Sequence, residues 1–160
     1  MLKKICTVLL VIGCLFPAAA FAQESDHIPA SIKTSQELVD WLSEECSFEF
    51  GLNDRWQSSS ETIRSGKGDC EDFATVVSEF MTGRGIDNDV LIIKFKGMNI
   101  SHAVCVWRTE KGTYNFTSNS KLFRTGARDM LDAIGKYYPD WIMLTFTGRS
   151  GAPGKVIARK

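Results

Sequence analysis

The hydrophobic period of this chain changes at Gly83-Arg84-Gly85, and that change restricts its fold more than any other feature. From Asp69 to about Met81, the residues Phe73, Val76, Val77 and Phe80 recur at helical spacing, and the glycines close the helix they imply. Beyond them come three β-branched or alternating runs, DVLIIKFK (89–96), SHAVCVWR (101–108) and TYNFT (113–117), with Lys111-Gly112 suited to a hairpin turn. Helix first and an antiparallel meander after it predict an α+β fold.

The flanking segments extend that plan. Thr34-Ser35-Gln36-Glu37 is a capping box ahead of Leu38, Trp41, Leu42 and Cys46, which predicts an earlier helix with Cys46 facing the core. Met130, Leu131, Ile134, Tyr137 and Tyr138 give a helical stripe within 127–138, ended by Pro139, and WIMLTFTG (141–148) reads as a last strand. Residues 47–68 read as a loop that packs Phe48, Phe50 and Trp56, and 149–160 as a mobile tail. With 160 residues, 44% of them hydrophobic, the chain supports one core, so 34–148 is expected to be a single domain behind a leading segment, 23–33.

Lys3 and Lys4, the apolar run from Ile5 to Phe16 and the Ala20-Phe21-Ala22 site predict a secretory signal peptide over 1–22, too short for a membrane span. The rival reading is a lipobox ending at Cys14, but the apolar run before it is short and the later site is better formed. A lipid anchor is therefore disfavoured, and no stable membrane insertion is expected. Without Lys3 and Lys4, 17 of the 19 basic residues face 19 acidic ones, a balance that attracts neither nucleic acid nor an anionic membrane. Export to the periplasm or the extracellular space favours paired cysteines, yet the mature chain keeps three, Cys46, Cys70 and Cys105. An odd count leaves at least one thiol free in a monomer.

Cys70 falls at the start of the helix that opens GDCEDFA, where the backbone dipole favours the nucleophilic thiolate. A thiol nucleophile also needs a base, and the mature chain offers His27, in the leading segment, and His102, in a strand. His102, Val104 and Val106 point one way and Ala103, Cys105 and Trp107 the other, so Cys70 and His102 meet if the helix packs on the His102 face. The plainer reading is an inert packing cysteine and a hydrogen-bonded structural histidine.

Trp56, the following SSSETIRSGKGDCEDFA, GRGI at 83–86 and SHAVCVWRTEKGTYNF together resemble the bacterial transglutaminase-like cysteine proteinase family, over roughly Leu38 to Asn119. The resemblance implies a papain-like, transglutaminase-like core in which Cys70 is the nucleophile, His102 the base, and a residue on the next strand orients the imidazole. Relatives place an aspartate there; alignment through Gly112 and Tyr114 puts Thr117 at that position, with Asn119 the favoured substitute and Asn115 a further rival. Threonine accepts a hydrogen bond but brings no negative charge to stabilise an imidazolium.

The carboxylates around Cys70 oppose its ionisation. At about 6 Å and an effective dielectric near 20, each full charge disfavours the thiolate by roughly 3 kcal/mol. They are relieved if they cap backbone N–H groups, pair with Lys67 or Arg64, or bind a metal. The family resemblance implies calcium, held by Asp69 and Glu71 with Asp72 an additional candidate, since hard oxygen ligands suit Ca²⁺. A zinc site from Cys70, His102 and a carboxylate would consume the catalytic pair, and no organic cofactor is expected.

The resulting expectation is an exported cysteine peptidase or amidase acting on a protein or peptide by acyl transfer, with hydrolysis favoured over transamidation. The alternative is a catalytically inactive transglutaminase-like binding module that keeps the fold. A purely structural domain with a Cys46–Cys105 disulfide is the third possibility.

Overall fold

A computed structural model describes residues 27–51, 55–147 and 154–160. The signal-peptide reading, Cys14 and the first part of the 23–33 segment lie outside them.

The expected capping box forms at Thr34, whose side chain accepts from the Glu37 backbone, and it starts α1 (Ser35–Glu45). A second capping box, Ser58 with Glu61, starts α2 (Ser59–Ser65), which ends on Gly66 in the left-handed region at φ 63°. The 47–68 segment is therefore not a plain loop: besides α2 it holds two short parallel strands, β1 (Ser47–Phe48) and β2 (Lys67–Gly68). Nor does it pack all its aromatics, for Phe48 and Phe50 are exposed and only Trp56 adjoins the core.

The cysteine helix, α3 (Cys70–Thr82), follows β2 directly, with Asp69 at its N-cap. The meander continues with β3 (Asn88–Phe95), β4 (Ser101–Arg108), β5 (Tyr114–Ser118) and β6 (Lys121–Arg124). After α4 (Met130–Tyr137) the chain returns as β7 (Trp141–Thr147) beside β3, and β8 (Val156–Arg159) pairs with β7. The sheet order is β6-β5-β4-β3-β7-β8, antiparallel throughout. Residues 156–159, expected in a mobile tail, thus complete one edge; Leu144 pairs with Ala158 and Met143 with Arg159.

The sheet is covered on both faces. On one, Phe73, Val76, Val77 and Phe80 of α3 pack with Val90, Ala103, Cys105 and Trp107, joined by Leu38 and Leu42 of α1. On the other, Ile134 of α4 packs with Leu91, Val104, Val106 and Phe116. Burying a side chain such as Phe73, 1% exposed, contributes on the order of 2 kcal/mol. The anchored α3 start is what positions Cys70. This is the α+β architecture with the cysteine helix packed on an antiparallel sheet. No helix among the described residues is long and apolar enough to cross a membrane.

Candidate active site

Cys70 is held by the segment before it. A Cβ on Gly68 would come within 2.9 Å of the Asp72 Cβ and 3.1 Å of the Thr62 methyl, so only glycine lets β2 run this close to the first turn of α3. Asp72, completely buried, accepts at Oδ1 from the Gln57 backbone N–H (2.7 Å) and at Oδ2 from Gln57 Nε2 (2.8 Å) and the Asp69 backbone N–H (3.2 Å). Gln57, which no sequence motif singled out, thereby ties the chain beside Trp56 to the cysteine helix.

The helix lies on the Ala103–Cys105–Trp107 face, opposite to the arrangement expected to let Cys70 meet His102. The two nonetheless line one cavity of about 590 Å³. Cys70 stands at the end of the helix and His102 near the end of β4, where the pairing of β4 with β5 has stopped at Cys105–Thr117. The Ala103 backbone N–H is directed to the Cys70 thiol, bringing the helix start against the strand end. Trp56, Asp69 and Glu71 line the same cavity.

Within it the thiol is not yet paired with the imidazole. Cys70 Sγ donates to Glu71 Oε2 at 3.2 Å, and His102 Nε2 contacts Ser118 Oγ at 2.8 Å. Burial first, then the Glu71 hydrogen bond and the Glu71 and Asp69 charges, push the thiol up to about 12, against the lowering effect of the Ala103 N–H. Burial lowers the His102 pKa, and the Glu71 charge acts the other way.

Of the three residues considered as imidazole partners, Thr117 and Asn115 lie on the opposite face of the sheet from His102. Thr117 pairs with Cys105 and Asn115 with Trp107, on the α3 face, and the Thr117 hydroxyl is buried without a hydrogen bond. Asn115 borders a separate surface groove with Arg124. Asn119 occupies the turn after β5 at φ 50°, its Oδ1 likewise buried and unpartnered. Strand alternation explains the correction: Phe116 pairs with Val106 on the His102 face, and Ser118, two residues on, shares it. Which β5 residues share the His102 face depends on the Val106–Phe116 register, which alternation along β4 alone does not give.

The acidic cluster divides in two. Asp72 accepts three hydrogen bonds and is not part of the ligand cluster that forms around Cys70. Asp69, Cys70 and Glu71 each bring a ligand atom within 4.8 Å of the others, and this group does not include His102, as the zinc reading would require. Asp69 Oδ1 is buried with no partner, and burial together with Glu71 pushes the Asp69 carboxyl up to about 7. Lys67 pairs with Glu49 (2.7 Å) instead of relieving that charge. Two adjacent carboxylates, one with an orphaned buried oxygen, fit a hard oxygen-seeking cation. No disulfide joins Cys46, Cys70 and Cys105, so the Cys46–Cys105 pairing of the structural reading is not formed.

A cysteine helix on an antiparallel sheet, opening beside a strand histidine, defines a transglutaminase-like fold. The transglutaminase-like domain profile matches residues 23–125, and the chain belongs to that family. Among solved structures, calcium-bound LapG of Legionella pneumophila is similar at a TM-score of 0.48 and 18% identity, over 69% of this chain and 62% of that one. None of the curated proteins matches the sequence.

Proposed function

We propose that this chain is an exported cysteine peptidase or amidase that acts on a protein or peptide in the periplasm or outside the cell. The observation that carries the reading is the shared cavity: Cys70, at the start of α3, and His102, on β4, both open into it. His102 accepts the thiol proton as Cys70 Sγ attacks the substrate carbonyl, and the free N–H groups of the first turn of α3 stabilise the oxyanion. His102 returns the proton to the leaving amine. Water then cleaves the thioester and regenerates the thiol; an amine in its place would give transamidation.

Asp69 and Glu71 would hold calcium. Bound there, the ion supplies positive charge beside Cys70 and offsets the carboxylates that disfavour its thiolate. The Cys70–Glu71 hydrogen bond gives a physical reason for the thiol to be unreactive without it.

The test is the rate of Cys70 alkylation by iodoacetamide across pH, read by peptide mass spectrometry with the buried Cys46 and Cys105 as internal references. Fast labelling at neutral pH in calcium, slowed in chelator and in His102→Ala, is the expected result, with Cys70→Ser identifying the peptide. Equally slow labelling in both conditions would sink the enzyme reading. It would favour the inactive binding module, to which one observation points: His102 is met by a neutral serine where a carboxylate would stabilise its charge.

A further inference from the structure

The cavity that holds Cys70 and His102 extends past both of them, over sheet that α3 does not cover. The buried cluster beneath α3 draws on β3 and β4 and, among the described residues, on none of β7 or β8. Helix α3 begins at Cys70, and the sheet face beyond that point becomes the cavity floor. Strand pairing lays this floor out in rows. Ala103, Ile92, Thr145 and Val156 pair in succession across β4, β3, β7 and β8, and Ser101, Lys94 and Met143 form the next row. At about 4.8 Å between strands, the first row runs roughly 14 Å from β4 to β8, the length of about four extended residues. Phe50, Ile100 and Val156, large apolar side chains left exposed, line the same cavity, as expected of a surface that receives a partner.

We propose that this floor seats an extended stretch of the substrate, with apolar side chains among Ile92, Met143 and Val156, and that Lys94 selects an Asp or Glu two or three residues from the carbonyl that Cys70 attacks. The inference rests on the peptidase reading and names its substrate class. Among the described residues Lys94 is the one lysine or arginine that lines the cavity, and no carboxylate among them pairs with it. The acidic groups of the cavity, Asp69 and Glu71, stand at the Cys70 end. A cation held on those two carboxylates would leave the Lys94 charge uncompensated, so the floor attracts an acidic stretch and repels a basic one. The spacing follows from the sheet. Lys94 lies one strand from β4 and two residues along β3 from Ile92, about 8 Å from Ala103, which an extended chain covers in two or three residues.

The experiment uses the full chain in calcium and has two readouts. In the first, a peptide library made by digesting a bacterial proteome is offered as substrate, and the residues flanking each new terminus are read by mass spectrometry. The expected result is Asp and Glu enriched at the second or third residue on one side of the cut, an enrichment lost in Lys94→Gln and turned to Lys and Arg in Lys94→Glu. Cleavage without acidic enrichment in the wild type, or with the same flanking residues in Lys94→Glu, overturns the proposal. Lys94 is exposed, so both variants should fold, which far-ultraviolet dichroism checks. In the second readout, capped valine-containing hexapeptides that differ only in one central Asp, Asn or Lys protect Cys70 from iodoacetamide. The Asp peptide should protect at roughly fivefold lower concentration than the Lys peptide, the effect of one exposed ion pair, and the order should invert in Lys94→Glu. Where no cleavage is seen, protection that follows the charge overturns the peptidase reading and leaves the subsite standing, whereas equal protection by all three peptides overturns both.

Discussion

Asp69 and Asp72, three residues apart around Cys70, are treated in opposite ways by the fold. Asp72 faces inward, and both its oxygens are satisfied by Gln57 and the Asp69 backbone. Asp69 faces the cavity, keeps a buried oxygen without a partner, and has its carboxyl pushed up to about 7 by burial and by Glu71. A buried charge met by donors holds structure together; one left unmet marks where a proton or a cation is taken up. The inward side of the turn fixes the helix, and the cavity side sets the state of the thiol.

The largest effect should come from breaking the inward side. Asp72→Ala strands three donors, two of them on Gln57, and should lower stability by about 3 kcal/mol or more. Urea unfolding in chelator, followed by far-ultraviolet dichroism, measures this directly, and a loss below about 1 kcal/mol would show that the network contributes little. Gly68→Ala attacks the same side sterically. Its new methyl must displace the Asp72 Cβ, and overpacking of this kind costs about 1–3 kcal/mol. A neutral result would mean that the α3 start is free to shift.

The inward side was partly legible in the sequence and the cavity side hardly at all. Capping boxes and apolar stripes fix α1 and α3 from local residues, so these elements could be read directly. Helix α2 escaped because only Ile63 among SSETIRS is a large apolar residue, leaving Ser58 with Glu61 as its one signal. Strand β8 escaped because a Gly- and Pro-containing approach resembles a tail; what orders 156–159 is the distant edge of β7. Helix α4 starts at Met130, where the apolar stripe begins and three residues after the expected Ala127, because Asp129 accepts from the Leu131 and Asp132 backbones. At the site, Cys70 and His102 were nameable from position and resemblance, whereas the contact of His102 with Ser118 depends on strand pairing over 16 residues.

On the cavity side, Asp69→Asn should act with the opposite sign to Asp72→Ala. The folded value of Asp69, about 7, lies above its ordinary 3.8, so between these limits the folded chain holds a proton the unfolded chain has lost. Its contribution in metal-free protein is therefore most favourable below 3.8 and declines as pH rises toward 7. Removing the carboxylate should make the metal-free protein relatively more stable at pH 8 than at pH 4.5, judged by urea midpoints of variant and wild type. Equal differences at the two pH values would mean that Asp69 is compensated.

Glu71→Gln probes the same side through the thiol alone and should change stability least, since its side chain is only part-buried. The substitution removes one of the two charges that raise the Cys70 pKa and leaves the effect of burial in place. In chelator at pH 8, Cys70 should therefore alkylate several-fold faster than in the wild type. In calcium the order should reverse, because the same change removes a ligand and with it the acceleration. Faster labelling in both conditions would show that Glu71 restrains the thiol without contributing to a calcium site. Slower labelling in both would show that its carboxylate assists the thiol, and the division between the two sides of the turn would have to be redrawn.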